Sequence, residues 1–242
     1  MKIIHYYFKK HPFAIIGLFA LPLLGIMVFM GGYFPKKTPE GFQSFIVAFE
    51  FAKTIQDLNV LFSDLSEIEI QKIDIGNYVD FGFMLTYSLF LISLFKKASK
   101  EFKKKWLIFG ILLAVIALLS DFFENLILLE ITEIYSNHLN ESLFITLLKE
   151  LNLITWFKWG SLSLAFLLFS VELLKRNWLA KTVAFLCILP VAIGIWALDE
   201  SPVSITYFTN SVFGAFTILI IYSFVYRREN NKLATSNFTH LK

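Results

Sequence analysis

The sequence predicts an all-α fold: a polytopic transmembrane helix bundle of about six spans, with one extracytoplasmic amphipathic helix. Three observations lead there. Hydrophobic residues make up 57% of the 242, including 28 Phe; the mean hydropathy is positive; and the Lys and Arg fall in short blocks between long apolar runs. Such a chain has too little polar surface to cover a water-soluble globule, so its solvent is lipid. A formal charge of +3, spread over connections instead of gathered on one face, argues against nucleic acid as a partner.

The first apolar run, 12–32, follows Lys2, Lys9 and Lys10. Its apolar stretch exceeds a secretory signal core and Phe29-Met-Gly-Gly-Tyr33 is a poor cleavage site, so it is read as a retained span. Between it and the second run, Phe42, Phe45, Phe49, Ala52, Ile55, Leu58, Phe62 and Leu65 recur at steps of three and four. Gln43, Glu50, Asp57 and Asp64 repeat every seven on the other side. This pattern predicts an amphipathic helix over 41–65, either resting in the outer interface or covering the mouth of the bundle. The weak alternation of 66–75 suits an extended segment, and Gly76-Asn77 suits a turn into the next span.

The remaining spans are expected at 77–95, 106–131, 151–174, 182–198 and 207–226, each long enough, or nearly so, for about 30 Å of hydrocarbon at 1.5 Å per residue. Pro190 and Gly194 interrupt the fifth run; Pro190 there predicts a kink instead of a stop. A polar tail, 229–242, follows the last span. Lys96 to Lys105, then Lys175, Arg176 and Lys181, lie on the same side as the N-terminal lysines and Arg227 and Arg228. The opposite connections carry Glu133 and Glu141, then Asp199 and Glu200. The positive-inside rule then puts both termini in the cytoplasm, and the plasma (inner) membrane is the expected location.

Charge inside these runs is the most informative feature. Measured from the cytoplasmic edge of each span, Asp80, Asp121, Glu124 and Lys158 lie 15 to 18 residues in, so they reach one height roughly 22 to 27 Å deep. Asp121, Glu124 and Asn125 share a helical face at i, i+3 and i+4. Asp80 and Tyr87 are two turns apart on the second span. Charges at such depth are costly, which makes them functional candidates. Each also has a purely structural reading. Asp80 suits the third position after an Asn77 cap. Asp121 and Glu124 suit an ion pair with Lys158 that fixes packing, and Lys158, flanked by Trp156 and Trp159, suits a lysine snorkelling to the interface.

These residues carry a resemblance. Phe49-Glu50-x-Ala52-x-Thr54, Asp80 with Phe83 and Tyr87, Asp121-x-x-Glu124-Asn125 and Lys158 resemble a loose pattern of small bacterial integral membrane proteins that have no assigned activity. The similarity covers about Gly41 to Lys175; Leu61-Phe62 stands where that pattern has a tryptophan. It implies a shared core and brings Glu50 forward as a fifth charged member, should its helix cap the bundle.

Three carboxylates and one ammonium would carry a net charge of minus two, so such a layer holds a proton or recruits a cation. The expected function is binding, and moving, of a small cationic or amphiphilic ligand at a proton-sensitive pocket of Glu50, Asp80, Tyr87, Asp121, Glu124, Asn125 and Lys158. The alternative is a structural or interaction subunit that docks a membrane protein partner. An enzyme is the third reading, since no His-Glu-x-x-His, Walker loop or nucleophile elbow is present. No cofactor is implied. His5, His11, His138 and His240 are too scattered for a metal site, and the single Cys187 is read as packing.

Overall fold

The structure is a computed structural model that describes residues 7, 8, 10–136 and 141–228. The tail expected at 229–242, together with Lys2, Lys9, His5, His138 and His240, lies outside the described residues. Every regular element among the described residues is helical. Among the described residues, five helical segments are long and apolar enough to cross a membrane.

The first apolar run is broken. It forms a single turn, α1 (Ala14–Gly17), and then α2 (Ala20–Met30). The expected 12–32 span is therefore shorter and interrupted at Leu18-Phe19. A ring explains the close packing of the turn: a Cβ on Gly17 would lie 2.7 Å from the Phe224 side chain.

The single amphipathic helix expected over 41–65 is instead two short helices, α3 (Phe45–Glu50) and α4 (Ile55–Phe62). The chain breaks between them because Thr54 starts a new helix. The Thr54 hydroxyl accepts from the Asp57 N–H, and Asp57 Oδ2 accepts from the N–H groups of Lys53 and Thr54. This reciprocal arrangement satisfies donors that a helix start leaves open. The break also changes the helical phase, so Glu50 does not stay on the polar side with Asp57 and Asp64. It is buried, along with Phe45, Val47, Ala48 and Phe49.

A second correction concerns 66–75. No extended segment and no turn at Gly76-Asn77 occur; α5 runs unbroken over Glu67–Glu101. Ser66 caps it, with its hydroxyl accepting from the Glu69 N–H and the Glu69 carboxylate accepting from the Ser66 N–H. Ile70 and Ile73 then bury one face. At 1.5 Å per residue α5 is about 52 Å long, well beyond the hydrocarbon thickness. Asp80 consequently sits four turns inside a helix, and the reading of it as a third residue after a cap falls away.

The chain reverses through Lys103, whose φ is 55°, and a 3₁₀ turn (Lys105–Ile108). It continues into α6 (Phe109–Ser136), α7 (Glu141–Leu173), α8 (Trp178–Trp196) and α9 (Pro202–Val225). These helices overrun the expected spans 106–131, 151–174, 182–198 and 207–226, mostly at their polar ends, where hydropathy stops marking a helix before its caps do. Asn177 and Ser201 supply two of those caps. Pro190 lies within α8 without ending it.

Successive helices α5 to α9 pack on one another, α9 returns to α7, α1 packs on α9, and α2 packs along α5. Two apolar clusters result. One holds Ile73, Ile131, Leu148 and the faces of α3 and α4; the other holds Phe90, Phe95, Phe166, Phe169 and Tyr222. On each of α5, α6 and α7 the intramembrane charges fall between these two clusters.

Candidate functional site

Lys158 is 4% exposed and does not snorkel. Its ammonium meets three carboxylates delivered by two elements. Glu124 of α6 pairs with it directly, Glu50 of α3 lies 3.0 Å away and Asp121 of α6 lies 3.4 Å away. The Trp159 ring adds a face 4.9 Å from Nζ, at which a cation is electrostatically favoured.

The i, i+3 spacing of Asp121 and Glu124 gives both the same α6 face, so one ammonium on α7 reaches both. Glu50 arrives because α3 is almost wholly buried and ends at this level. Burial pushes the Glu50 carboxyl up, while the Lys158 ammonium pulls it back.

Polar neighbours complete the layer. The Thr155 hydroxyl lies 2.7 Å from Glu124 Oε2 and 3.1 Å from the Glu50 carbonyl oxygen. The Trp159 indole N–H donates to Glu50 Oε2 over 3.1 Å. Tyr87 donates to Asp121 Oδ2 over 2.6 Å, and the Asn125 amide donates to Asp80 Oδ2 over 2.7 Å. All seven residues singled out in the sequence thus lie in one connected region. Asp80 is its most accessible carboxyl, half-buried and outside the ion-pairing distance that Lys158 keeps to the others.

Sequence reasoning missed two members. Trp159 looks like an interfacial aromatic in the sequence, yet it is buried and holds Glu50; Thr155 looks like a polar residue at a helix edge, yet it binds Glu124. Thr155, three residues before Lys158, shares its helical face, whereas Trp159, the next residue, does not, so no periodicity marks it.

A cavity of about 400 Å³ opens beside the charges. Glu50, Asp80, Tyr87, Asp121 and Lys158 form its polar end, and side chains of α2, α7 and α9 form walls that are mostly apolar. Glu124 and Asn125 do not line it; they stand behind, supporting Lys158 and Asp80. The size falls in the range of small-molecule pockets, which join apolar walls to a few convergent polar groups. Near the rim the Asn210 amide donates to Gln43 Oε1 over 2.9 Å, and Thr206 donates to the Gly41 carbonyl.

No group of His, Cys, Asp and Glu suited to a metal ion occurs among the described residues. Cys187 is buried, and burial alone surrounds its thiol with apolar packing. Comparison with protein-family models, with curated proteins and with solved structures gave no match, so the reading of the site rests on its geometry.

Proposed function

We propose that this protein binds, and moves, a small cationic or amphiphilic molecule at a proton-sensitive intramembrane site. The observation that carries the reading is the cavity of about 400 Å³ whose polar end presents Glu50, Asp80 and Asp121 against a single ammonium. An apolar chamber ending in surplus carboxyl groups selects a cation, and one with an apolar body. In the empty site a proton offsets the surplus, since three or four carboxylates around one lysine cannot all stay ionised in low dielectric. A bound cation replaces that proton, so protonation and ligand binding compete.

The topology follows the distribution of charge: the α1–α2 segment is a sixth crossing, the basic connections and both termini face the cytoplasm, and α3 and α4 cover the opposite end of the bundle. The plasma membrane is the compartment that this arrangement fits.

Calorimetry on the protein in nanodiscs, titrated with hexylammonium, tests the reading. Binding should strengthen as pH rises, because the carboxyl that receives the cation must first lose its proton. Asp121→Asn should weaken binding at least tenfold, and Glu124→Gln should alter its pH dependence. Asp64→Asn, at an exposed carboxylate paired with Lys37, should leave both unchanged. Absence of hexylammonium binding at every pH would sink the proposal.

One observation favours a second reading. Glu124 is fully buried, pairs with Lys158 and Thr155, and does not touch the cavity, as a purely structural ion pair would be. A structural or interaction subunit built on that pair would lose stability or a membrane partner in Glu124→Gln, with no change in proton flux or ligand binding.

A further inference from the structure

The cavity runs between α2 and α9, and its walls there are also the outside of the bundle. Leu24 and Met27 of α2, and Phe213, Thr217 and Ile221 of α9, all line it. Yet Leu24 is 59% exposed and Ile221 50%, and the other three are exposed as well. Side chains that belong to both a cavity and an outer surface mark its mouth. Four of these five are apolar; Gln43 and Asn210, also exposed and in the lining, are hydrogen-bonded to each other and close the polar rim beside the charges.

The chain path explains the gap. α1 packs chiefly on α9 while α2 packs along α5, so the break at Leu18-Phe19 carries the chain away from α9 and leaves space between α2 and α9. The back of α2 is as apolar as its front: Val28 is 81% exposed and Leu21 70%, and only Leu23 is buried. A helix that is apolar all round and little buried by protein is stable in hydrocarbon. The mouth therefore opens onto lipid tails, and the charged end of the cavity is reached from within the bilayer.

Length and charge narrow the occupant. The lining extends from Ala20 to Met30 on α2 and from Thr206 to Ile221 on α9, about 15 and 22 Å of helix. A volume of about 400 Å³ spread along that length makes a slot for one chain. The slot ends on three carboxyl groups and one ammonium.

Granted the cation-binding reading above, we infer that the ligand is a single-chain amphiphile with a cationic head, drawn sideways from the bilayer between α2 and α9. Its chain lies along Leu24, Met27, Phe213 and Ile221. Its head rests on Asp80 and Asp121, with Glu50 beside them, and Lys158 holds the remaining negative charge in place.

Photolabelling with dodecylamine carrying a diazirine at its chain end tests this. The protein, in nanodiscs, would carry Cys187→Ala with Leu24→Cys and Thr217→Cys, joined across the mouth by a thiol-cleavable bifunctional methanethiosulfonate. Before joining, label should map to α2 and α9 and be competed by plain dodecylamine but not by dodecyl sulfate. Joining the helices should cut labelling at least tenfold, and cleaving the linker should restore it. Met27→Cys with Phe213→Cys supplies a second pair if the first lowers the yield of folded protein. Labelling that ignores the linker in both pairs, or that maps away from α2 and α9, overturns the sideways route. If hexylammonium still binds in that case, the cation site stands and only this inference fails; if neither amine binds, both fall.

Discussion

Tyr87 donates its phenolic hydrogen to Oδ2 of Asp121 over 2.6 Å, joining α5 to α6, while Oδ1 of the same carboxylate faces the Lys158 ammonium at 3.4 Å. A carboxylate held between a neutral donor and a cation is fixed in place at the polar end of the cavity. Tyr87→Phe keeps the ring packing against Phe83 and Phe216 but leaves a buried oxygen without its donor. The expected cost is about 1–3 kcal/mol, seen as a lower unfolding temperature in detergent. An unchanged unfolding temperature would mean that water replaces the phenol.

Lys158 is the cation that Glu50, Asp121 and Glu124 share among the described residues. Lys158→Met should therefore destabilise the protein by about 3–5 kcal/mol, since removing one partner strands the other charges in a dry layer. Combining it with Glu124→Gln should recover part of that loss. Thermal unfolding of the two variants side by side checks both expectations, and equal losses would show that the pair does not couple.

Helix α6 approaches α5 closely at Gly110, where a Cβ would fall 2.2 Å from the buried Phe95 ring. Gly110→Ala should cost about 1–3 kcal/mol by overpacking. Gly25 of α2 has nothing within 4 Å of such a Cβ, so Gly25→Ala serves as the matched control and should not be destabilising. A similar effect at both sites would contradict the packing of α5 on α6.

The start of α9 should respond to acid. Asp199 accepts from the Ser204 hydroxyl and the Ser201 N–H, and these bonds hold its carboxyl below the usual carboxylate range. A depressed acid contributes stability above its unfolded pKa and loses that contribution as pH falls through the folded value. Hydrogen exchange in the first turn of α9 should therefore accelerate below about pH 4, relative to the rest of the helix. Asp199→Asn should flatten that pH response; an unaltered profile would assign it to another group.

Much of the molecule was legible before folding because hydropathy and helical phase are local properties. The apolar runs marked the five long helices, and counting residues inward put Asp80, Asp121, Glu124 and Lys158 at one level. The i, i+3, i+4 spacing gave Asp121, Glu124 and Asn125 one face. These inferences need only a fixed rise and a fixed turn per residue.

Glu50 was beyond such reasoning, since its heptad pattern with Asp57 and Asp64 assigned it to a polar face. Only packing decided otherwise: the Thr54 cap broke the helix, and α3 sank between α6, α7 and α9. The extension of α5 back to Glu67 was likewise hidden, because the capping box of Ser66 and Glu69 lies in a stretch whose hydropathy alternates. By itself, then, the sequence determined the helical class and the common level of its charges, through periodicities that each segment carries alone. The tertiary structure decided which carboxylates share Lys158 and that a cavity opens beside them toward α2, because both depend on how separate helices fail or succeed in filling the space between them.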